Sequence, residues 1–237
     1  MGVSEHLSKQ FNSELETIRS RVLEMGGLVE SQIRRALDAL ASGDRALSDE
    51  VIINDHRVNA MEVALDNDCS QVIVRRQPAA NDLRLILAII KTVTDLERIG
   101  DEAQKIARMA RSIYERGSSQ PPHAVDVRHA AEVALSMLRR ALDAFARLDV
   151  GAAADVIRDD AAIDSEFRSM LRQLITYMME DPRTISTALE IIWIAKAIER
   201  IGDHAKNMAE YVIYIVKGTD VRHTDPSSFE REMAEGR

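Results

Sequence analysis

The sequence predicts an all-α protein built from two tandem, repeat-related three-helix bundles. Three observations point there. The pentad Glu97-Arg98-Ile99-Gly100-Asp101 returns, residue for residue, as Glu199-Arg200-Ile201-Gly202-Asp203, a little under half the chain later. Aromatic residues make up only 4% of the 237 positions, and 5 Pro and 10 Gly leave few breaks in the chain. Apolar residues recur at steps of three and four, the spacing that lines one face of a helix.

The elements follow in order. Helix one is expected from about His6 to Ala41, because Phe11, Leu15, Ile18, Val22, Met25, Val29, Ile33 and Leu40 trace one apolar seam. Gly26-Gly27 interrupts that seam and predicts a bend or a close helix contact. Ser42-Gly43-Asp44 reads as a turn with Asp44 as the N-cap of helix two, from about Arg45 to Arg76. Pro78 pushes Gln77 out of helical geometry and ends it. Helix three runs from near Ala79 to about Arg116, and the Gly/Ser/Pro-rich stretch 117–122 is a linker. The plan then repeats. Helix four spans about Val125 to Leu148, Asp149-Val150-Gly151 is the turn, and helix five ends at Asp181-Pro182. Helix six runs from about Arg183 to Lys217, where Gly218 stops it. The expected division is 1–118 for the first bundle, 119–218 for the second and 219–237 for a polar, mobile tail.

Composition narrows the function. Hydrophobic residues at 46% and charged residues at 30% describe a chain able to build a core. A net charge of −8 disfavours nucleic acid, whose phosphates need Lys and Arg, and favours cations or basic partner surfaces. One cysteine, Cys69, allows no internal disulfide and fits a reducing compartment. The polar first twenty residues are not expected to act as a signal peptide. The most apolar run, Leu83 to Val93, contains Arg84 and Lys91 and falls far short of the ~20 residues that cross a bilayer.

The chemistry lies in the carboxylates. Positions four apart share a helix face, so Glu97 with Asp101, and Glu199 with Asp203, each present two acids side by side. Leu83, Ile86 and Ile90 lead into the first pair, and Ile185 and Ile192 into the second. Acids on a bundle-facing stripe are costly unless something neutralises them. On helix two, Asp55, Asn59, Glu62 and Asp66 form a facing stripe; on helix five, Asp160 and Asp164 hold the matching place. If each helix pair is antiparallel, the acids converge, and oxygen-only clusters suit hard or borderline metal ions. The plainer alternative is a solvated acidic face, the usual fate of an isolated pair, with Arg98 and Arg200 as ordinary ion-pair partners. Mid-helix Gly100 and Gly202 indicate close helix approach or clearance for an ion. His204 is a candidate ligand without a counterpart, since Glu102 stands at its place in the first copy. Trp193, Met170, Met178 and Met179 are expected to pack inside, and Cys69 to be buried. His56, His123 and His129 are read as exposed or packing residues. No Glu-x-x-His motif, phosphate-cradling glycine loop or nucleophilic triad is present, so no catalytic residue is assigned. A carboxylate-metal phosphoesterase or metal buffer is the alternative function.

Several separated segments in order, Gln10-Phe11-Asn12-Ser13-Glu14-Leu15, Met25-Gly26-Gly27, Arg76-Gln77-Pro78-Ala79-Ala80-Asn81-Asp82-Leu83-Arg84, Asp95-Leu96 with the first pentad, Leu142-Asp143-Ala144-Phe145-Ala146-Arg147, Thr176-Tyr177-Met178-Met179-Glu180-Asp181 and Ile198 with the second pentad, resemble the PhoU family of bacterial phosphate-transport accessory proteins. The resemblance spans nearly the whole chain. It implies a cytoplasmic, non-enzymatic negative regulator of phosphate uptake and of the phosphate-starvation response. It also implies partners: the ATPase subunit of the phosphate ABC importer, the sensor histidine kinase, and a second copy in a homodimer. Contact with the inner membrane would run through those partners. Similarity to metal-holding members implies Mg, Mn, Fe or Zn ions, divalent or trivalent, at Glu97, Asp101, Glu199 and Asp203; Asp55, Asp160 and Asp164 join on the stripe argument. Asp95 has Ala197 as its counterpart, so the two sites are expected to differ.

Overall fold

In the computed structural model, residues 2–117 and 124–222 are described. They form α1 (Gly2–Ser42), α2 (Arg45–Arg76), α3 (Ala80–Glu115), α4 (Ala124–Arg147), α5 (Val150–Glu180), a single 3-10 turn (Pro182–Thr184) and α6 (Ile185–Lys217), with no strand among the described residues. The expected boundary between residues 118 and 119 and most of the expected linker lie outside the described residues, as do His123 and the tail beyond residue 222.

Local chemistry sets the helix ends. The Asp44 carboxylate accepts from the backbone N–H groups of Ala46 (2.8 Å) and Leu47 (3.4 Å), and that of Asp149 accepts from Ala152 N–H (3.0 Å). Both satisfy donors that a helix start leaves orphaned. Before Pro78, Gln77 adopts the left-handed backbone at φ 47°, and its N–H closes α2 onto Ile73 O (3.0 Å). The second half departs from expectation in two places. Leu148, not Gly151, takes the left-handed turn at φ 53°, and Gly151 falls inside the first turn of α5. Pro182 lacks an N–H, and the Asp181 carboxylate accepts from Arg183 N–H (3.0 Å). A tight 3-10 turn results, so α6 begins at Ile185 rather than Arg183.

Gly43 turns the chain at φ 71°, and a Cβ there would stand 2.7 Å from the ring of Tyr114. That ring is pinned by its hydroxyl, which donates to Leu40 O (2.9 Å). Gly43→Ala combines a left-handed penalty with a clash against an anchored ring, and is expected to cost about 2 kcal/mol in chemical denaturation. A cost near zero would show that the ring moves freely.

Neighbouring helices run antiparallel. Gln104 on α3 reaches Asp55 on α2, and Arg111 reaches Asp49. On the second side, Lys206 of α6 reaches Asp160 of α5. The halves join through two further antiparallel pairs. Arg139 of α4 meets Glu30 of α1 (2.6 Å), and Ser112 of α3 donates to Glu190 of α6 (2.6 Å). Gly26 permits the first contact: a Cβ there would stand 2.6 Å from Leu142 on α4. Gly27 faces open space and α1 runs through both glycines unbroken. Met25, Ile33, Leu65, Ile99, Leu138 and Phe145 are fully enclosed in one core that continues through both halves. Removal of such area from water is the main stabilising force.

Two packing expectations fail. Trp193 is 57% exposed and Met179 is 80% exposed, while Met170 and Cys69 are buried as expected. Ile185, Leu189 and Trp193 recur at four-residue steps, so they share one exposed face of α6. Its core-facing side is already supplied by Ala188, Ile191, Ile194 and Ile198.

Candidate functional site

The acids do converge, on one side of each half. In the first half, α2 brings Asp55 and Glu62 within electrostatic reach of Glu97 and Asp101 of α3, with Asp66 beside Glu62. Burial and then the Asp101 charge hold the Asp55 carboxyl above its ordinary range. Burial, followed by Asp101, Glu62 and Asp55, does the same to Glu97. Glu62 is raised by burial and by Asp66, and Asp66 by burial alone. In the second half, burial and the charges of Glu199, Asp160 and Asp164 push Asp203 up to about 6. Each half therefore crowds anions that resist ionising together.

The two clusters are not copies. Among the described residues, no Lys or Arg lies within ion-pair distance of Glu97, Asp101 or Asp55. Asp55 is 5% exposed; its Oδ2 accepts from the amide of Gln104 (3.1 Å), and the Asn59 side chain also acts on its carboxyl. In the second half, Lys206 Nζ stands 2.6 Å from Asp160 Oδ2, Lys196 pairs with Glu199, and Arg168 reaches Asp164 at 3.5 Å. Protein cations already neutralise part of that cluster.

Gly100 and Gly202 serve close approach. A Cβ on Gly100 would stand 3.2 Å from Val58 Cγ1, and one on Gly202 would stand 2.8 Å from Ile163 Cδ1. Each glycine lets its α3 or α6 backbone settle against the acid-bearing helix. Asp95 and His204 have other work. Both are buried between the halves, where His204 Nδ1 lies 2.7 Å from Asp95 Oδ1 and Asn207 Nδ2 lies 3.3 Å away. Glu102 crosses the same junction to Arg200 (2.7 Å). Asp95 thus does not join the first cluster, and its Ala197 counterpart does not explain how the sites differ.

The oxygen-only donor set suits a hard cation, and the orphaned Oδ1 of buried Asp55 is an acceptor without a donor. Among the described residues, no three His, Cys, Asp or Glu side chains stand as a ready-made metal cage. The carboxylates would have to turn toward one another to close on an ion. Missed in the sequence was Gln32. It lies on the apolar seam of α1, in step with Met25, Val29 and Ala36, and a polar residue at such a step is the signal that could have found it.

Comparison with known proteins places this architecture. The PhoU domain model matches twice, over residues 22–110 and 127–212. The chain belongs to the PhoU family. Among its relatives, the phosphate-specific transport system accessory protein PhoU homolog of Pseudomonas aeruginosa is 50% identical over 99% of this chain and 97% of its own. The accessory protein PhoU of Escherichia coli K12 is 44% identical, over 99% and 96%. The crystal structure of PhoU from P. aeruginosa superposes with a TM-score of 0.85 at 52% identity, covering 88% of this chain and all of that one. The phosphate transport system regulatory protein PhoU from Streptococcus pneumoniae, at 27% identity, superposes with a TM-score of 0.82 over 89% and 99%. These relatives are named as accessory and regulatory proteins, not as enzymes. No described helix is long and apolar enough to cross a membrane.

Proposed function

We propose that this PhoU-family chain is a non-enzymatic negative regulator of phosphate uptake and of the phosphate-starvation response. It acts in the cytoplasm as an adaptor between the ATPase subunit of the phosphate importer and the sensor histidine kinase, reaching the inner membrane through them. The supporting observation is full-length similarity to accessory proteins of the phosphate-specific transport system. The charge fits: a chain of net −8 with acidic helical faces suits basic docking surfaces, where complementarity gives orientation and on-rate. The homodimer belongs to the same reading. Deleting the gene and following a phosphate-starvation reporter in rich phosphate tests it. The expected result is a reporter switched on despite plentiful phosphate. A reporter that stays repressed would overturn the adaptor role.

The clusters belong to this reading as cation sites. Glu97, Asp101 and Asp55 would hold a divalent or trivalent ion in the first half, and Glu199, Asp203, Asp160 and Asp164 in the second. A bound ion would supply positive charge that lets these acids ionise together. The residues themselves set the shape and sign of the face that α2, α3, α5 and α6 offer to a partner.

A further inference from the structure

Gln32 of α1 is 3% exposed, and neither atom of its amide has a hydrogen-bond partner. Asp55 Oδ1 has none in hydrogen-bond geometry either, although the Asn59 side chain lies close to that carboxyl. Gln32 Oε1 and Asp55 Oδ1 both lie beside Gly100. A Cβ built on Gly100 would stand 3.6 Å from Gln32 Oε1, 3.5 Å from Asp55 Oδ1 and 3.2 Å from Val58 Cγ1. Gln104 fixes the carboxylate in this pose by holding Oδ2 (3.1 Å) while also donating to Ile52 O (3.2 Å). Gln32 Nε2, equally unpartnered, would serve Asp55 Oδ1 if the amide turned; with Oε1 presented instead, the two oxygens share the Gly100 side and suit a donor or a cation.

The internal repeat supplies a control. Aligning Asp44 with Asp149 pairs Asp55 with Asp160, Val58 with Ile163 and Gln32 with Met137. Aligning the pentads pairs Gly100 with Gly202 and Gln104 with Lys206. In the second half the matching side is carbon: Ile163 Cδ1 stands there and Met137 is fully buried. There the carboxylate already has its cation, Lys206. The first half has oxygen where the second has carbon, and a neutral amide where the second has an ammonium. Only the second difference involves charge, and Arg108, opposite Glu210 in the repeat, acts on Asp55 from beyond ion-pair distance and leaves its Oδ1 unpartnered.

We propose that Gln32 is a specificity-determining residue of the first cluster. Its amide oxygen and Asp55 Oδ1 together face a hard divalent cation, or one of that cation's waters, on the inner side of the cluster. The first half therefore holds such an ion more tightly than the second. This rests on the cation reading of the clusters given above. Met in place of Gln32, as in the second half, removes the oxygen and keeps the volume.

The test is calorimetric titration of the full chain with Mn²⁺, in a background carrying Glu199→Gln and Asp203→Asn to silence the second cluster. Gln32→Met is expected to weaken Mn²⁺ about tenfold, the scale seen when supporting groups around a metal are lost. The same variant should leave the cation-free melting temperature unchanged or raised, since it removes orphaned polar atoms; a merely structural role would move that temperature without touching affinity. Gln32→Glu keeps the oxygen and adds charge, so it should tighten binding, and it carries the test if the Met variant fails to fold. Unchanged affinity in either variant overturns the role of Gln32 while leaving the clusters as cation sites. No Mn²⁺ binding by the unsubstituted chain overturns both.

Discussion

Cation-free protein is expected to melt at a lower temperature at pH 8 than at pH 5, and saturating Mn²⁺ is expected to restore it at pH 8 only. The direction follows from the raised carboxyls. An acid whose folded-state pKa lies above its unfolded value binds its proton more tightly in the fold. Its protonated form therefore favours folding, and stability is lost as pH rises from about 4 through the folded value. Asp203 is pushed up to about 6, and buried Glu210 to about 7, so the loss falls between pH 4 and 7. Acids lowered by arginine partners, Glu14 beside Arg76 and Asp220 beside Arg222, lose their contribution only at lower pH and do not mask it. A cation reverses the sign by favouring the ionised acids. At a hundredfold excess over its dissociation constant, one site contributes about 2.7 kcal/mol, so two contribute about 5 kcal/mol. For a chain of this size that is a rise of about 10–20 °C. Asp203→Asn should remove part of both the pH slope and the rise. Melting that is flat from pH 5 to 8 and indifferent to Mn²⁺ would leave the acids as a solvated face.

Asp95→Ala is expected to lower stability by about 3 kcal/mol, or roughly 6–12 °C in melting temperature. The carboxylate can only accept, so His204 Nδ1 carries the shared proton. Its loss strands a buried donor at the junction of α3 and α6 and also frees Asn207. Glu102→Ala, by contrast, breaks a pair whose Arg200 partner is 40% exposed, and should cost less. A double-mutant cycle with His204→Ala measures the pair directly. Non-additivity above about 1 kcal/mol is expected for groups in contact, and simple additivity would mean the two do not support one another.

Much of this was legible because helices carry their own periodicity. The seam from Leu15 to Leu40 is buried along its length, and Asp44 opens a helix, and Gln77 and Gly218 close theirs, for local reasons that neighbouring residues state. The facing acids were legible for the same reason, since Asp55 and Asp101 need only an antiparallel pair to meet. What was not legible depends on how the halves meet. Asp95 looked like part of the first cluster, yet the other half turns it toward His204. Gln32 was hidden because its orphaned amide is visible only once Gly100 and Asp55 are placed beside it. Trp193 misled because a large apolar side chain implies a core, and α6 fills that side with smaller residues.

The sole tryptophan of the chain is thus already wet in the native state. Its emission should begin red-shifted and change little on denaturation, so circular dichroism is the better way to follow unfolding. The same indole becomes a built-in probe of assembly: a blue shift on mixing with another protein would report that α6 had been covered.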